Sequence, residues 1–309
     1  MADTFLQTGR RGRLSTVLGA DVLNLMYLNG SEELSGPFAW TVDALSDRPD
    51  IDLNAVLGTH ATVEVDVAGG QRYFDGIVTE AQWQGMGENG NRYQLVLRPW
   101  LHVAGLRRNQ RIFHNLSVDK ILTELFADYA HLGAPHFELR LADDYPELEY
   151  TVQYGETDAA FAARMMERFG ITWSWEHASG NHTLVLTDYV SNHKDVPGGT
   201  RPYYGVQRYH MHEEEHFTEW HGGGRVTTGA VRLTEYNFKI PHAAQEVDQA
   251  AGAAYANGDI ESFDFPGDYL EKGPGETVVS RRIAAEAGQS ARVIAKGDVA
   301  TLGAGLCVT

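Results

Sequence analysis

Two blocks constrain the fold of this chain more than anything else in it. Arg72–Trp100 reads RYFDGIVTEAQWQGMGENGNRYQLVLRPW, two alternating strands around a glycine-rich turn, closed by Arg98-Pro99-Trp100. Tyr150–His177 reads YTVQYGETDAAFAARMMERFGITWSWEH, a strand, a helix and a strand in succession. Within the first block Gly85, Gly87 and Gly90 match G-x-G-x-x-G literally, the spacing that cradles a dinucleotide pyrophosphate. That chemistry needs a helix N-terminus directly after the glycines. Here Arg92–Leu97 follows and reads as strand, so the glycines predict a hairpin tip.

The strand pattern extends upstream. Val22–Leu28 runs into an Asn29-Gly30 turn signal, Phe38–Leu45 follows Pro37, and Ala61–Val67 alternates up to Gly69-Gly70. Four or five strands at roughly ten-residue spacing predict a small antiparallel barrel or sandwich. Asp50–Gly58 reads as a short helical turn. After Trp100 the period changes. Ser117 is a helix cap, and Val118, Ile121, Leu122, Leu125, Phe126 and Leu132 form an apolar stripe ended by Gly133. A second helix is expected from about Thr157 to Phe169, capped by Thr157 or Asp158 and stopped by Gly170. Strands Ile171–Glu176 and Thr183–Thr187 complete an α+β portion, and Ser191–Tyr204 reads as a linker. Beyond it Phe217–Trp220, Arg225–Phe238 and Val299–Val308 read as strands, while Ala243–Ala256 and Val278–Ala287 read as helices.

The expected fold is therefore mainly β with an α+β portion: two small antiparallel β-barrel-like domains plus a helical insertion. The expected division is residues 1–105, 106–195 and 196–309, the last with a helical insertion and cut short at its C-terminus.

Composition narrows function by exclusion. With 25 basic against 42 acidic residues the net charge is −17, a field that repels a phosphate backbone, so no nucleic-acid partner is expected. One cysteine, Cys307, leaves no intrachain disulfide and no multi-cysteine zinc site. No apolar run approaches the length of a membrane span, and the N-terminus lacks the apolar stretch of a secretory signal.

One motif competes for an enzymatic reading. His212-Glu213-Glu214-Glu215-His216 is a literal H-E-x-x-H, which on a helix would set two imidazoles on one face to bind zinc with Glu213 as general base. Only Met211 and Phe217 could anchor such a helix, Gly222-Gly223-Gly224 follows almost at once, and Thr218–Trp220 favours strand. The expectation is an acidic loop entering a strand, with no catalytic residue, metal or cofactor. A zinc-dependent peptidase using His212, Glu213 and His216 stands as the alternative.

In order along nearly the whole chain, the sequence resembles the N-terminal hub region of VgrG, the tip protein of type VI secretion systems and a relative of contractile-phage baseplate hubs. The residues that carry the resemblance are Phe74 and Gly76, then Arg98, Pro99 and Trp100, then Gln153, Tyr154, Glu156, Thr157, Phe161 and Gly170, and further on Trp220, Pro241, Pro266 and Gly267. The resemblance implies structural roles for them, in strand pairing and core packing. It implies a homotrimer whose paired barrels form a pseudo-sixfold ring on the Hcp tube, with effector or adaptor proteins and baseplate components as further partners. It also implies assembly in the cytoplasm, export by the contractile machine and no stable membrane insertion of this region. The family's OB-fold and β-helical needle are not present in this sequence. The baseplate hub of a phage or phage-derived tail is the same reading in another machine.

Overall fold

A computed structural model describes residues 6–67, 69–205, 214–252 and 254–309. The protein is mostly β, with curled sheets, and divides into two compact units. The first takes the chain up to Glu167, Ile171–Thr200 and Ala300–Thr309; the second takes Arg168–Gly170 and Arg201–Val299.

The first unit begins with β1 (Gly12–Thr16), β2 (Asn24–Ser31), β3 (Ala39–Ser46), β4 (His60–Val67), β5 (Gly70–Gly87) and β6 (Gly90–Arg98). They form one antiparallel sheet in the order β1-β4-β5-β6-β3-β2. Alternation decides which face is buried: Trp40, Val42 and Ala44 on β3 and Tyr93, Leu95 and Leu97 on β6 all point into the core. The glycines of the first block close the β5–β6 hairpin, where Gly87 pairs with Gly90. Gly76 has a different cause. A Cβ there would stand 2.9 Å from Leu97 Cβ and 3.0 Å from the Phe38 ring, so the two strands close only over a glycine.

The two edge strands of this sheet, β1 and β2, are joined by a side chain. Gln7 Oε1 accepts from the backbone N–H of Leu14 (2.7 Å) and of Leu25 (3.0 Å), and its Nε2 donates to the Leu14 carbonyl (3.0 Å). One buried amide thus does the work of ladder bonds and closes the curl. Replacing Gln7 with alanine strands two inward N–H groups and is expected to cost about 2–3 kcal/mol in chemical denaturation. A loss below about 0.5 kcal/mol would refute the closing role.

The α+β portion follows as α1 (Trp100–Ala104), β7 (Arg108–Leu116), α2 (Val118–Ala127), β8 (Phe137–Arg140), β9 (Leu148–Thr157), α3 (Asp158–Arg168), β10 (Thr172–Ala178), β11 (Asn181–Thr187) and β12 (Lys194–Asp195). β10 and β11 form a hairpin with β8 parallel to β11, while β7 and β9 form a separate ribbon. The stripe expected on α2 is buried from Val118 to Phe126, but the helix ends at Ala127 and Leu132 belongs to a separate 3-10 turn, Ala130–Leu132. α3 starts where Thr157 Oγ1 accepts from Ala160 N–H at 3.1 Å, the cap its sequence announces.

The second unit comprises β13 (Phe217–Gly224), β14 (Ala230–Leu233), β15 (Val247–Ala250), β16 (Glu261–Asp264), α4 (Lys272–Ala287) and β17 (Ala291–Gly297). β13 pairs with β17, and β14 lies between antiparallel β15 and parallel β16. Val231, Leu233, Val247, Tyr269, Val279 and Ile283 form its core. The helix expected over Ala243–Ala256 is not formed. Val247 is drawn into that core from a strand, and Gly252 at φ +67° breaks the segment, so packing overrides alanine's helical propensity. The strand expected over Val299–Val308 shrinks to β18 (Leu306–Cys307), which pairs parallel with β12 in the first unit. Among the described residues no helix is long and apolar enough to cross a membrane.

Candidate functional site

A buried cluster of ionisable groups lies inside the first unit, around Asp75. Register brings Thr62 of β4 opposite Asp75 of β5, and Thr62 Oγ1 donates to Asp75 Oδ2 at 2.6 Å. Two residues back on β4, His60 Nδ1 reaches Asp75 Oδ1 at 2.8 Å. From β11, His182 Nδ1 reaches the same oxygen, also at 2.8 Å. The carboxylate side chain is fully buried.

The neighbours of each imidazole fix its protonation. The backbone N–H of Trp100 points at His182 Nε2 (2.8 Å), and an N–H can only donate, so Nε2 is bare and the ring's one proton sits on Nδ1, facing Asp75. His60 Nε2 faces the Leu132 carbonyl at 3.1 Å while its Nδ1 faces the carboxylate, so both nitrogens donate and the ring is an imidazolium. The same contacts set the direction in which each pKa moves. The Asp75 hydrogen bond outweighs burial and raises the pKa of His60. Burial lowers that of His182, the Asp75 bond only partly offsetting it. Burial opposes ionisation of Asp75, yet the bonds from His182 and His60 prevail and hold the carboxyl below its usual range.

His60, Asp75 and His182 place three ligand-type atoms within 4.8 Å of one another, a donor set that zinc accepts. The residues do not fit a metal. A metal on His182 Nδ1 would require the other nitrogen to carry the ring proton, and the Trp100 N–H already points at that nitrogen. The cluster is a proton-filled tie between β4, β5, β11 and the start of α1.

A second polar centre adjoins it. His177 Nδ1 lies 3.0 Å from the Asp75 carbonyl oxygen and 3.2 Å from its backbone nitrogen. Its Nε2 is buried with no hydrogen-bond partner, 4.0 Å from Glu32 Oε1. Burial pushes the pKa of His177 down to about 3 and that of Glu32 up to about 7. Arg72 stands 3.7 Å from Glu32, and these residues form one end of a cavity of about 400 Å³.

The family-motif residues are distributed rather than gathered. Phe74 packs edge-on against Trp40 at 5.1 Å with the Arg72 guanidinium 4.7 Å above its ring. Arg98 bonds Thr79 Oγ1 and Glu80 Oε1, each at 2.7 Å. Pro99 caps α1, and Trp100 is wholly buried, donating from Nε1 to the His136 carbonyl at 2.7 Å. Gln153, Glu156, Thr157 and Phe161 do come together, around the start of α3. Gln153 Nε2 and Tyr129 OH each hold the buried Asp158 at 2.7 Å, Glu156 pairs with Arg164 at 2.5 Å, and Phe161 stacks on Phe113 with centroids 5.5 Å apart. Tyr154 is 79% exposed. Gly170 adopts φ +67°, as a helix stop requires. In the second unit Trp220 and Pro241 are exposed. Pro266 precedes Gly267, where a Cβ would collide with the Tyr269 ring at 2.3 Å. Of the zinc motif, His212 and Glu213 lie outside the described residues. His216 sits in non-helical backbone ahead of β13, its Nδ1 3.2 Å from Asp298.

The fold, mostly β with curled sheets, has phage tail hub proteins as its structural neighbours. The chain belongs to the phage tail baseplate hub (GPD) family, whose model matches residues 31–309. Its relatives are type VI spike proteins, as the resemblance to VgrG implies. It is 36% identical over 302 residues to the spike protein VgrG1b of Pseudomonas aeruginosa and 37% identical over 304 residues to VgrG1c of the same organism. Each match covers 97% of this chain but only 40% and 41% of the relative, so the chain spans about two-fifths of their length. Among solved structures, a tail protein from Neisseria meningitidis shares the fold at TM-score 0.60 and 12% identity, covering 92% of this chain and 78% of that one. The E. coli c3393 protein, a component of the type VI secretion system, matches at TM-score 0.56 and 19% identity, covering 69% of this chain and 56% of its own.

Proposed function

We propose that the chain is the structural hub of a type VI secretion spike: it trimerises, caps the Hcp tube, and delivers effector or adaptor proteins when the machine contracts. The observation that carries this reading is the 36–37% identity to VgrG spike proteins over 97% of the chain. The Asp75 centre supports a mechanical role, because Thr62, His60 and His182 all spend their hydrogen bonds joining separate strands through one carboxylate. The protein assembles in the cytoplasm and leaves with the tube; it acts as no enzyme. The tail-protein folds favour a second reading, the hub of a phage or phage-derived contractile tail, with the same mechanics.

Native mass spectrometry of the purified chain, prepared without chelator, tests the proposal. The expected mass is three times the 34.2 kDa monomer, without metal. A monomer carrying one zinc per chain would overturn it and direct attention to His212 and His216. A metal-free monomer at tens of micromolar would refute trimerisation by this region alone.

A further inference from the structure

Residues 300–309 run back across the first unit as a strap. It is fastened by side chains gripping its backbone and, at its far end, by backbone bonds, the Val196 N–H donating to the Cys307 carbonyl (2.9 Å) and the Thr309 N–H to the Gly199 carbonyl (3.0 Å). Arg72 Nη1 donates to the Ala300 carbonyl (2.8 Å) and to that of Leu302. His193 Nδ1 donates to the Gly305 carbonyl at 3.1 Å, and β18 adds a two-residue pairing with β12. Under the strap lies Glu32. The Ala304 amide bonds its carboxyl, a Cβ on Gly303 would come within 3.6 Å of its Oε2, and the side chain is only 6% exposed. The strap is what seals this carboxyl from water on that side.

Glu32 is poorly compensated for a charge so placed. Among the described residues the ionisable groups that face it are Arg72 from β5, at 3.7 Å, and His177 from β10, at 4.0 Å; the strap contributes only an amide. Arg72 is shared with two strap carbonyls, and His177 is uncharged, its Nε2 buried and without a partner.

We propose that the strap is a proton-linked clasp, seated over Glu32 while the carboxyl is protonated and released when it ionises. A neutral carboxyl tolerates the buried site, whereas a carboxylate gains solvation when residues 300–307 lift. The direction follows from linkage. The seated carboxyl holds its proton up to about pH 7, against 4.5 in water, so lifting the strap releases a proton and rising pH drives it. From pH 5 to pH 8 the open fraction should rise by roughly 50–100-fold, the ratio those two pKa values give.

Hydrogen exchange of the full chain, read on a peptide covering residues 300–307 and corrected for intrinsic exchange, tests this at pH 5, 6, 7 and 8. The wild-type opening equilibrium should climb by that factor, while amides of β6 do not follow it. Glu32→Gln, which cannot ionise, should stay closed and flat across the range. Arg72→Met, which removes the facing cation, should move the rise to higher pH. A flat wild-type profile, or an unchanged slope in Glu32→Gln, would overturn the clasp. Should Glu32→Gln fail to fold, an Arg72→Met rise at the wild-type pH would overturn it instead.

Discussion

Replacing Asp75 with alanine is expected to destabilise the first unit by about 3–5 kcal/mol, the cost of removing one partner from a buried ion pair. Three donors converge on that carboxylate: Thr62 Oγ1, His60 Nδ1 and His182 Nδ1. Without it His182 keeps a proton aimed at nothing. It cannot move that proton to Nε2, because the Trp100 N–H already points there. His60 loses the hydrogen bond that chiefly raises its pKa and reverts towards a neutral ring. Two readouts separate this from ordinary core damage. Urea denaturation at pH 7 gives the loss of stability, and NMR titration of His60 should show its pKa falling. Asp75→Asn keeps an acceptor but not the charge, so it should recover part of the stability and leave the His60 shift mostly abolished. A cost below about 1 kcal/mol for the alanine variant, or an unmoved His60, would refute the tie.

How much of this was legible in the sequence depends on the range of the interaction. The alternation of β3 and β6, the Thr157 cap, the Gly170 stop and the Gly87–Gly90 hairpin are local rules, and each is obeyed. Ala243–Ala256 misleads because composition speaks for helix while the burial of Val247 decides for strand. α4 misleads in the other direction. It begins at Lys272, six residues ahead of the expected Val278, and takes Gly273-Pro274-Gly275 into its first turn, where proline costs no helical hydrogen bond. The polar centres were almost wholly illegible, because their partners are far apart in the chain. Asp75 sits in a segment singled out for its neighbours Phe74 and Gly76, yet its partner His182 lies 107 residues away. No spacing rule connects Glu32 to Ala304 or Gln7 to Leu25. The only local hint was a carboxylate interrupting the apolar, aromatic register of β5 between Phe74 and Ile77.

Acidification below about pH 4.5 is expected to unfold the first unit steeply, after a shallower decline between roughly pH 6.5 and 4.5. His177 supplies the acid-side slope. Unfolded, its imidazole takes up a proton near pH 6.5, whereas in the fold burial delays this to about pH 3. Its contribution is therefore intact above 6.5 and lost as pH falls, about 1.4 kcal/mol per unit and up to about 5 kcal/mol by pH 3. His182, also lowered by burial, adds to the same slope. Glu32 pulls the other way. Its folded pKa of about 7 exceeds the 4.5 of the free carboxyl, so its contribution is full below 4.5 and fades as pH rises to 7. Over the shared interval the proton lost from Glu32 cancels one of the two gained by the unfolding histidines, so stability falls only gently. Below 4.5 only the histidine loss remains, joined by Asp75, whose lowered pKa also fails on the acid side. Urea midpoints at pH 7, 5.5 and 4 in two variants divide these contributions. Glu32→Gln should lose that offset and fall more steeply than the wild type, by about 1.4 kcal/mol more per unit between pH 6.5 and 4.5. His177→Phe keeps an aromatic ring beside Phe38, 4.8 Å away, and discards both the titration and the unpartnered Nε2. It should gain on the wild type steadily as pH drops, and curves that stay parallel from pH 6.5 to 4 would remove His177 from the account.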